Sequence, residues 1–319
     1  MLKLILCFLV SLIAVLILMT YFIRWMKAKS VGQSISEYSL SDDQKKAGTP
    51  IMGGILFILI PVIVTLISSP EAVKDIETWI VILAFMGYGV IGFIDDWLIA
   101  VRHDNTGLRP MQKFIMQVIL AVVFFLLYRS HAELEVILPI GHHVWHLGYG
   151  YFILVLFMFV GSSNAVNLTD GMDGLAAGCS IIAIAAYLII AIVQKRMGVS
   201  VLAAGVIGAL FGYLHYNKKP AKVFMGDTGS LALGGILAAM AMVTKTEISL
   251  ILIGGIFVVD TLTVIIQITS VKIRHKKVFP YTPIHFAFRL AGMPENSVVH
   301  MFWLIEAVCA ALGLLLAMH

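Results

Sequence analysis

The residues best suited to chemistry are aspartates gathered in three short runs. Asp95 and Asp96 stand side by side after Gly92-Phe93-Ile94. Adjacent carboxylates on a helix point about 100° apart, so one can face a metal while the other faces a substrate or a lysine. Asp170 and Asp173 lie in Asn164-Ala-Val-Asn-Leu-Thr-Asp-Gly-Met-Asp-Gly-Leu175, with the amides Asn164 and Asn167 and the glycines Gly171 and Gly174. Such a Gly-bearing acidic turn allows close backbone approach to a ligand. Its carboxylates can accept hydrogen bonds from a base or ribose, or help hold a hard cation. Asp227 sits in Phe224-Met-Gly-Asp-Thr-Gly-Ser230, a run suited to a helix start. There an acid serves either as a simple N-cap or, beside free backbone N–H groups, as part of a phosphate and Mg²⁺ site. Lys46 and Lys113 are the nearest cations in pattern. They read either as interfacial lysines or as groups that hold phosphates. His285, in Thr282-Pro-Ile-His-Phe-Ala-Phe-Arg289, lies in a stretch read as a short amphipathic helix at the membrane surface that helps guide a lipid chain.

These runs need elements to position them, and composition says which. The chain has 319 residues, 60% hydrophobic and 13% charged. A soluble domain carries about 25% charge. The sequence therefore predicts an all-α, polytopic integral membrane protein with one transmembrane domain over residues 1–319. The net charge of +4 does not point to nucleic acid, because the basic residues sit in short loops beside apolar spans. Cys7, Cys179 and Cys309 fall in apolar stretches without metal spacing and read as buried thiols. The first apolar segment is too long for a signal peptide, lacks a small-residue cleavage pattern and reads as a retained helix.

Apolar runs of about 20 residues count as spans. They fall near 2–25, 51–69, 78–100, 112–129, 149–167, 175–194, 198–216, 230–244, 248–271 and 297–317. About ten spans put both termini on one side. One set of loops carries 16 lysines and arginines, and the other set with the N-terminal tip carries six. By this bias the first set is cytoplasmic and both termini are extracytoplasmic. Every acidic run then falls at the cytoplasmic face, although none was used to set the orientation. The outer segment 130–148 reads as a short hairpin or loop. Its His142, His143 and His146 could bind a metal, but no cysteine or carboxylate completes a set nearby. No fixed-period repeat and no low-complexity segment is visible.

Together these runs closely resemble the phospho-N-acetylmuramoyl-pentapeptide transferases, within the polyprenyl-phosphate N-acetylhexosamine-1-phosphate transferases. The resemblance covers nearly the whole chain. The Asn-Leu-Thr-Asp-Gly-Met-Asp-Gly-Leu and Phe-Met-Gly-Asp-Thr-Gly-Ser runs are highly specific together. Lys-Ala-Gly-Thr-Pro-Ile-Met-Gly-Gly and Thr-Pro-Ile-His point to the muramoyl branch. The resemblance implies a bacterial cytoplasmic-membrane enzyme of peptidoglycan synthesis. It couples UDP-MurNAc-pentapeptide to undecaprenyl phosphate with Mg²⁺, releasing UMP and leaving lipid I; a homodimer among membrane lipid is implied as well. Carried over residue by residue, Asp227 is the expected Mg²⁺ ligand, and Asp95 and Asp96 are the expected catalytic pair. Asp170, Asp173 and Asn167 match nucleoside- and substrate-binding positions, and Phe224 matches a ring that stacks on uracil. Lys46, Lys113, Asn164, Asn217, Ser230, Gln267 and His285 match other positions in or near the site.

The chain departs from the family pattern in three places. Phe286 and Ala287 stand where the family usually continues its histidines after His285. Ile51 replaces a threonine, and Asp43 replaces a histidine before the loop lysine. Direct attack by the lipid phosphate, helped by Asp95 or Asp96, and a covalent aspartyl-phosphate route both fit these residues. Two other functions fit less well. A sibling transferase would move GlcNAc-1-phosphate, and a transporter would place its carboxylates near the midplane rather than at one face.

Overall fold

The computed structural model describes residues 1–29, 48–102, 107–139, 141 and 143–318. Lys46, Asp43 and His142 lie outside them. The helices are α1 (Leu2–Ala28), α2 (Gly54–Ser68), α3 (Pro70–Lys74), α4 (Ile76–Arg102), α5 (Pro110–Tyr128), α6 (Tyr151–Thr169) and α7 (Leu175–Val193). They continue as α8 (Met197–Asn217), α9 (Gly226–Val243), α10 (Leu250–Ile253), α11 (Gly255–Arg274), α12 (Ile284–Leu290) and α13 (Glu295–Met318). Nine of the described helices are long and apolar enough to cross a membrane, and the shorter apolar α2 fills the tenth predicted place. Helices are the natural answer to this composition, because within hydrocarbon each backbone N–H and C=O must be paired inside its own segment.

α9 is the hub. All its residues from Thr228 to Val243 are buried, and its Ala- and Gly-rich sequence lets α4 and α6 approach closely. In lipid, such packing of small residues replaces the hydrophobic drive that water supplies elsewhere. The tightest point is at its start. A Cβ on Gly92 of α4 would lie 2.0 Å from the Asp227 carbonyl oxygen, so glycine is what allows the two backbones to meet there. By contrast, α1, α5 and α13 leave most of their surface to lipid.

The other end of the bundle carries the predicted hairpin, β1 (Glu135–Ile137) paired antiparallel with β2 (Val144–His146). Lys245 holds it there, donating to the carbonyls of Glu133 and Glu135 while its ammonium sits 5.2 Å from the Tyr128 ring centroid. The Tyr151 hydroxyl donates to Glu247, which is buried between α9 and α10.

α11 begins at a break after α10. There the Glu306 carboxylate of α13 accepts the Ile256 N–H at 2.8 Å. The short helix predicted around His285 is present, as α12. In α12, His285 is fully buried, Phe288 packs edge-on against Phe302 at 5.9 Å, and Phe286 against Tyr281 at 5.8 Å. Ile284, Phe286 and Phe288 pack partly buried against the core, whereas Leu290 at the end of the helix is half exposed.

Candidate active site

The predicted eighth span starts four residues early, at Gly226, and this places Asp227 inside the first turn of α9. The cap comes from another helix. Asp96 of α4 accepts the Asp227 N–H and the Thr228 N–H, each at 3.0 Å, and the Thr228 hydroxyl at 2.6 Å. A carboxylate at a helix N-terminus satisfies orphan N–H groups and meets the positive end of the helix dipole. Gly226, at φ +68°, makes the turn possible: a Cβ there would lie 2.3 Å from Asp96 Oδ2. Asp96 therefore does not split the work with Asp95 as two outward-facing acids would. It faces the helix end.

Asp95 points the other way. Its Oδ1 accepts the Leu108 N–H at 2.7 Å, and it lines a cleft of about 500 Å³ with Lys113, Gln117 and Asn164. Asp227 pairs with Lys113 through Oδ2 and accepts Asn167 Nδ2 through Oδ1 at 2.7 Å. The same Asn167 amide donates to Ser230 Oγ at 2.8 Å, and Asn164 donates to Gln117 Oε1 at 2.9 Å. The structure thus gathers Asp95, Asp96, Asp227, Lys113, Asn164, Asn167 and Ser230 at the meeting point of α4, α5, α6 and α9.

Oxygens of Asp95, Asp96 and Asp227 all lie within 4.8 Å of one another. Three carboxyls meet one lysine here among the described residues. Hard oxygen donors in this number and an uncancelled negative charge are what a divalent cation such as Mg²⁺ requires. The residues fit the ion.

The second predicted group forms an adjoining layer. Asp173 Oδ2 accepts the Ala221 N–H at 2.9 Å, and the Asp173 N–H donates to Glu295 at 3.1 Å. Glu295 also pairs with Lys219 at 2.7 Å. Asp170 ends α6, one turn beyond Asn167. Phe224 is held by backbone pairing with Pro50 at 2.8 Å and Gly53 at 2.9 Å, three residues ahead of Asp227.

Asn217 and Gln267 lie one layer back, because their amides are taken up by backbone. Asn217 bridges Gly174 N and Val223 O, each at 3.0 Å. Gln267 accepts the Val278 and Phe279 N–H groups and donates to the Phe279 carbonyl. Both brace loops that carry the site. Sequence reading passed over Thr228, Gln117, Glu295 and Asp260. Asp260 had a signal, since a single acid inside a membrane-length apolar run is costly unless it has a task.

A second cavity of about 290 Å³ runs between α6 and α11, from Leu154 to Ala165 on the α6 side and Phe257 to Leu262 on the other. Its lining is mostly apolar, with Ser162, Thr261 and Glu247 among it.

The chain is similar to known proteins over most of its length. Residues 78–245 match the model for glycosyl transferase family 4. The chain is 45% identical over 307 residues to a protein of Geobacillus thermodenitrificans (strain NG80-2), covering 96% of this chain and 95% of that one. It is 44% identical over 312 residues to one of Geobacillus sp. (strain WCH70), covering 97% and 96%. It is 45% identical over 295 residues to one of Bacillus mycoides (strain KBAB4), covering 92% and 91%. All three relatives bear the name phospho-N-acetylmuramoyl-pentapeptide-transferase.

Proposed function

Because the chain belongs to the phospho-N-acetylmuramoyl-pentapeptide transferases of glycosyl transferase family 4, we propose that it moves phospho-MurNAc-pentapeptide from UDP-MurNAc-pentapeptide to undecaprenyl phosphate. The products are lipid I and UMP. The enzyme is a multi-pass protein of the bacterial cytoplasmic membrane, with the acid end of its bundle turned to the cytoplasm. The observation that carries this reading is the cluster of Asp95, Asp96 and Asp227 with Lys113, beside a cleft of about 500 Å³.

The chemistry follows from charge. A phosphate monoester is already a good nucleophile once deprotonated, so the barrier is mostly repulsion between two anions and the charge on departing UMP. Mg²⁺, when bound by Asp227, would supply positive charge to the diphosphate. Lys113 adds a second positive charge at the same place. Asp96 is turned to the start of α9, whereas Asp95, on the cleft wall, is placed to take the proton from the acceptor phosphate. The acceptor oxygen then bonds to the β-phosphorus as the bond to UMP breaks. Asn164 and Asn167 offer amide groups on the same side. Asp170, Asp173 and Phe224 bind the nucleoside, and Asn217, Gln267 and Ser230 shape the walls around it. The apolar cavity between α6 and α11 offers the polyprenyl chain a groove. Lys46 belongs to the phosphate-binding set. A homodimer remains part of the proposal from the family.

UMP release from the muramoyl donor tests this, using protein in detergent with undecaprenyl phosphate, with and without Mg²⁺. Release should need both the metal and the acceptor, and Asp227→Ala should abolish it. Normal turnover by that variant would remove the metal assignment. Exchange of labelled UMP into donor without the lipid acceptor would argue for a covalent aspartyl-phosphate step and against direct attack.

A further inference from the structure

Asp260 and His285 are both fully buried. Asp260 lies within the apolar α11, and His285 lies on α12. His285 Nδ1 stands 2.8 Å from Asp260 Oδ2. The other ring nitrogen, Nε2, has no partner among the described residues. It faces the Asp170–Gly174 loop. A Cβ added to Gly171 would lie 2.5 Å from Nε2 and 2.9 Å from the Phe286 ring. Only glycine leaves room for the imidazole to abut that backbone.

A carboxylate beside Nδ1 draws the imidazole proton to that nitrogen and leaves a lone pair on Nε2. It also fixes the ring's rotation, as the aspartate does in Asp–His pairs of known enzymes. We infer that Asp260 is a positioning residue for donor binding. Acting through His285, whose ring abuts Gly171, it braces the Asp170–Gly174 loop that carries the nucleoside-binding acids. This rests on the function proposed above. It also explains why an acid is kept in the apolar α11, where it would otherwise be a cost.

The test compares wild type, Asp260→Ala, Asp260→Asn, His285→Phe and the Asp260→Ala/His285→Phe double variant as full-length protein in detergent. It reads donor KM, kcat at saturating donor, and UMP affinity. Asp260→Ala and His285→Phe should each raise donor KM and weaken UMP binding about tenfold, the size of one charge-assisted hydrogen bond. In both, kcat should stay within about threefold, because the pair acts on binding rather than on the reacting atoms. The double variant should be no worse than either single one, since the pair works as a unit. Asp260→Asn keeps the shape but not the charge that holds the proton on Nδ1, and should raise KM about threefold or more. It carries the test if Asp260→Ala does not fold.

Unchanged KM and UMP affinity in the Asp260 variants, additive losses in the double variant, or a collapse of kcat at unchanged KM would each overturn the inference. If wild type neither binds UMP nor releases it from donor, the proposed function fails. If wild type does both and the Asp260 variants match it, only the role of Asp260 fails.

Discussion

The Asp96 carboxylate of α4 closes the N-terminus of α9, accepting the backbone N–H of Asp227 at 3.0 Å. One acid thereby fixes the position of another, and the helix end that would bind an anion is already occupied by protein. The neighbouring Asp95 is left for the cleft.

This separates the two adjacent acids by experiment. Asp96→Asn weakens three hydrogen bonds to a buried carboxylate and should lower stability by about 1–3 kcal/mol, seen as a lower Tm in detergent along with lost turnover. Asp95→Asn should lose turnover with little change in Tm. Equal Tm losses in both variants would contradict the division of roles.

Lys113 is the cation that meets Asp227. Lys113→Met should lower kcat/KM by about 10²-fold, in the range seen when one charge-stabilising group is removed from a site. Lys113→Arg should recover part of the loss, since it restores charge but not shape. Steady-state UMP release reads both, and a fully active Met variant would remove Lys113 from the chemistry.

Gly92 sits where α4 and α9 touch. Gly92→Ala places a carbon about 2.0 Å from the Asp227 carbonyl oxygen, so the helices must part. Overpacking of this kind costs about 1–3 kcal/mol. Because the contact lies beside Asp227, activity should fall further than Tm alone explains. The check is turnover per folded molecule, and a variant as active as wild type would show that the contact can relax without moving the acids.

Glu247, at the hairpin end, is pushed by burial from its ordinary value of 4.5 up to about 7. The folded state thus holds a proton that the unfolded chain releases near 4.5. Its stabilising effect is fully present below that pH and is lost as pH rises to about 7, where the folded protein also ionises. The loss is on the order of 3 kcal/mol. Tm measured across pH 4.5–8 should fall over this window in wild type, and Glu247→Gln should flatten that part of the slope. The same slope in both proteins would sink the assignment.

The spans were legible in the sequence because each apolar run is a local property, read one segment at a time. The acidic runs were legible for a similar reason: two neighbouring aspartates, or two within four residues, stand out at the ends of such segments. Which atom each acid faces was not legible. Asp96 and Asp227 are far apart in the chain, and their contact depends on Gly92 and Gly226 letting two backbones meet. The same holds for Asp260 and His285, which only the packing of α11, α12 and the Asp170–Gly174 loop brings together. The helix that carries Phe286 and Phe288 was legible too, but that His285 is its buried side was not, because a short apolar helix reads alike from every side. Residue types and hydropathy by themselves determined the membrane class, the helices and the acids on offer. Tertiary packing alone decided which acid caps a helix, which lines a cleft and which orients a histidine, since hydrogen-bond partners across helices carry no signature in local sequence.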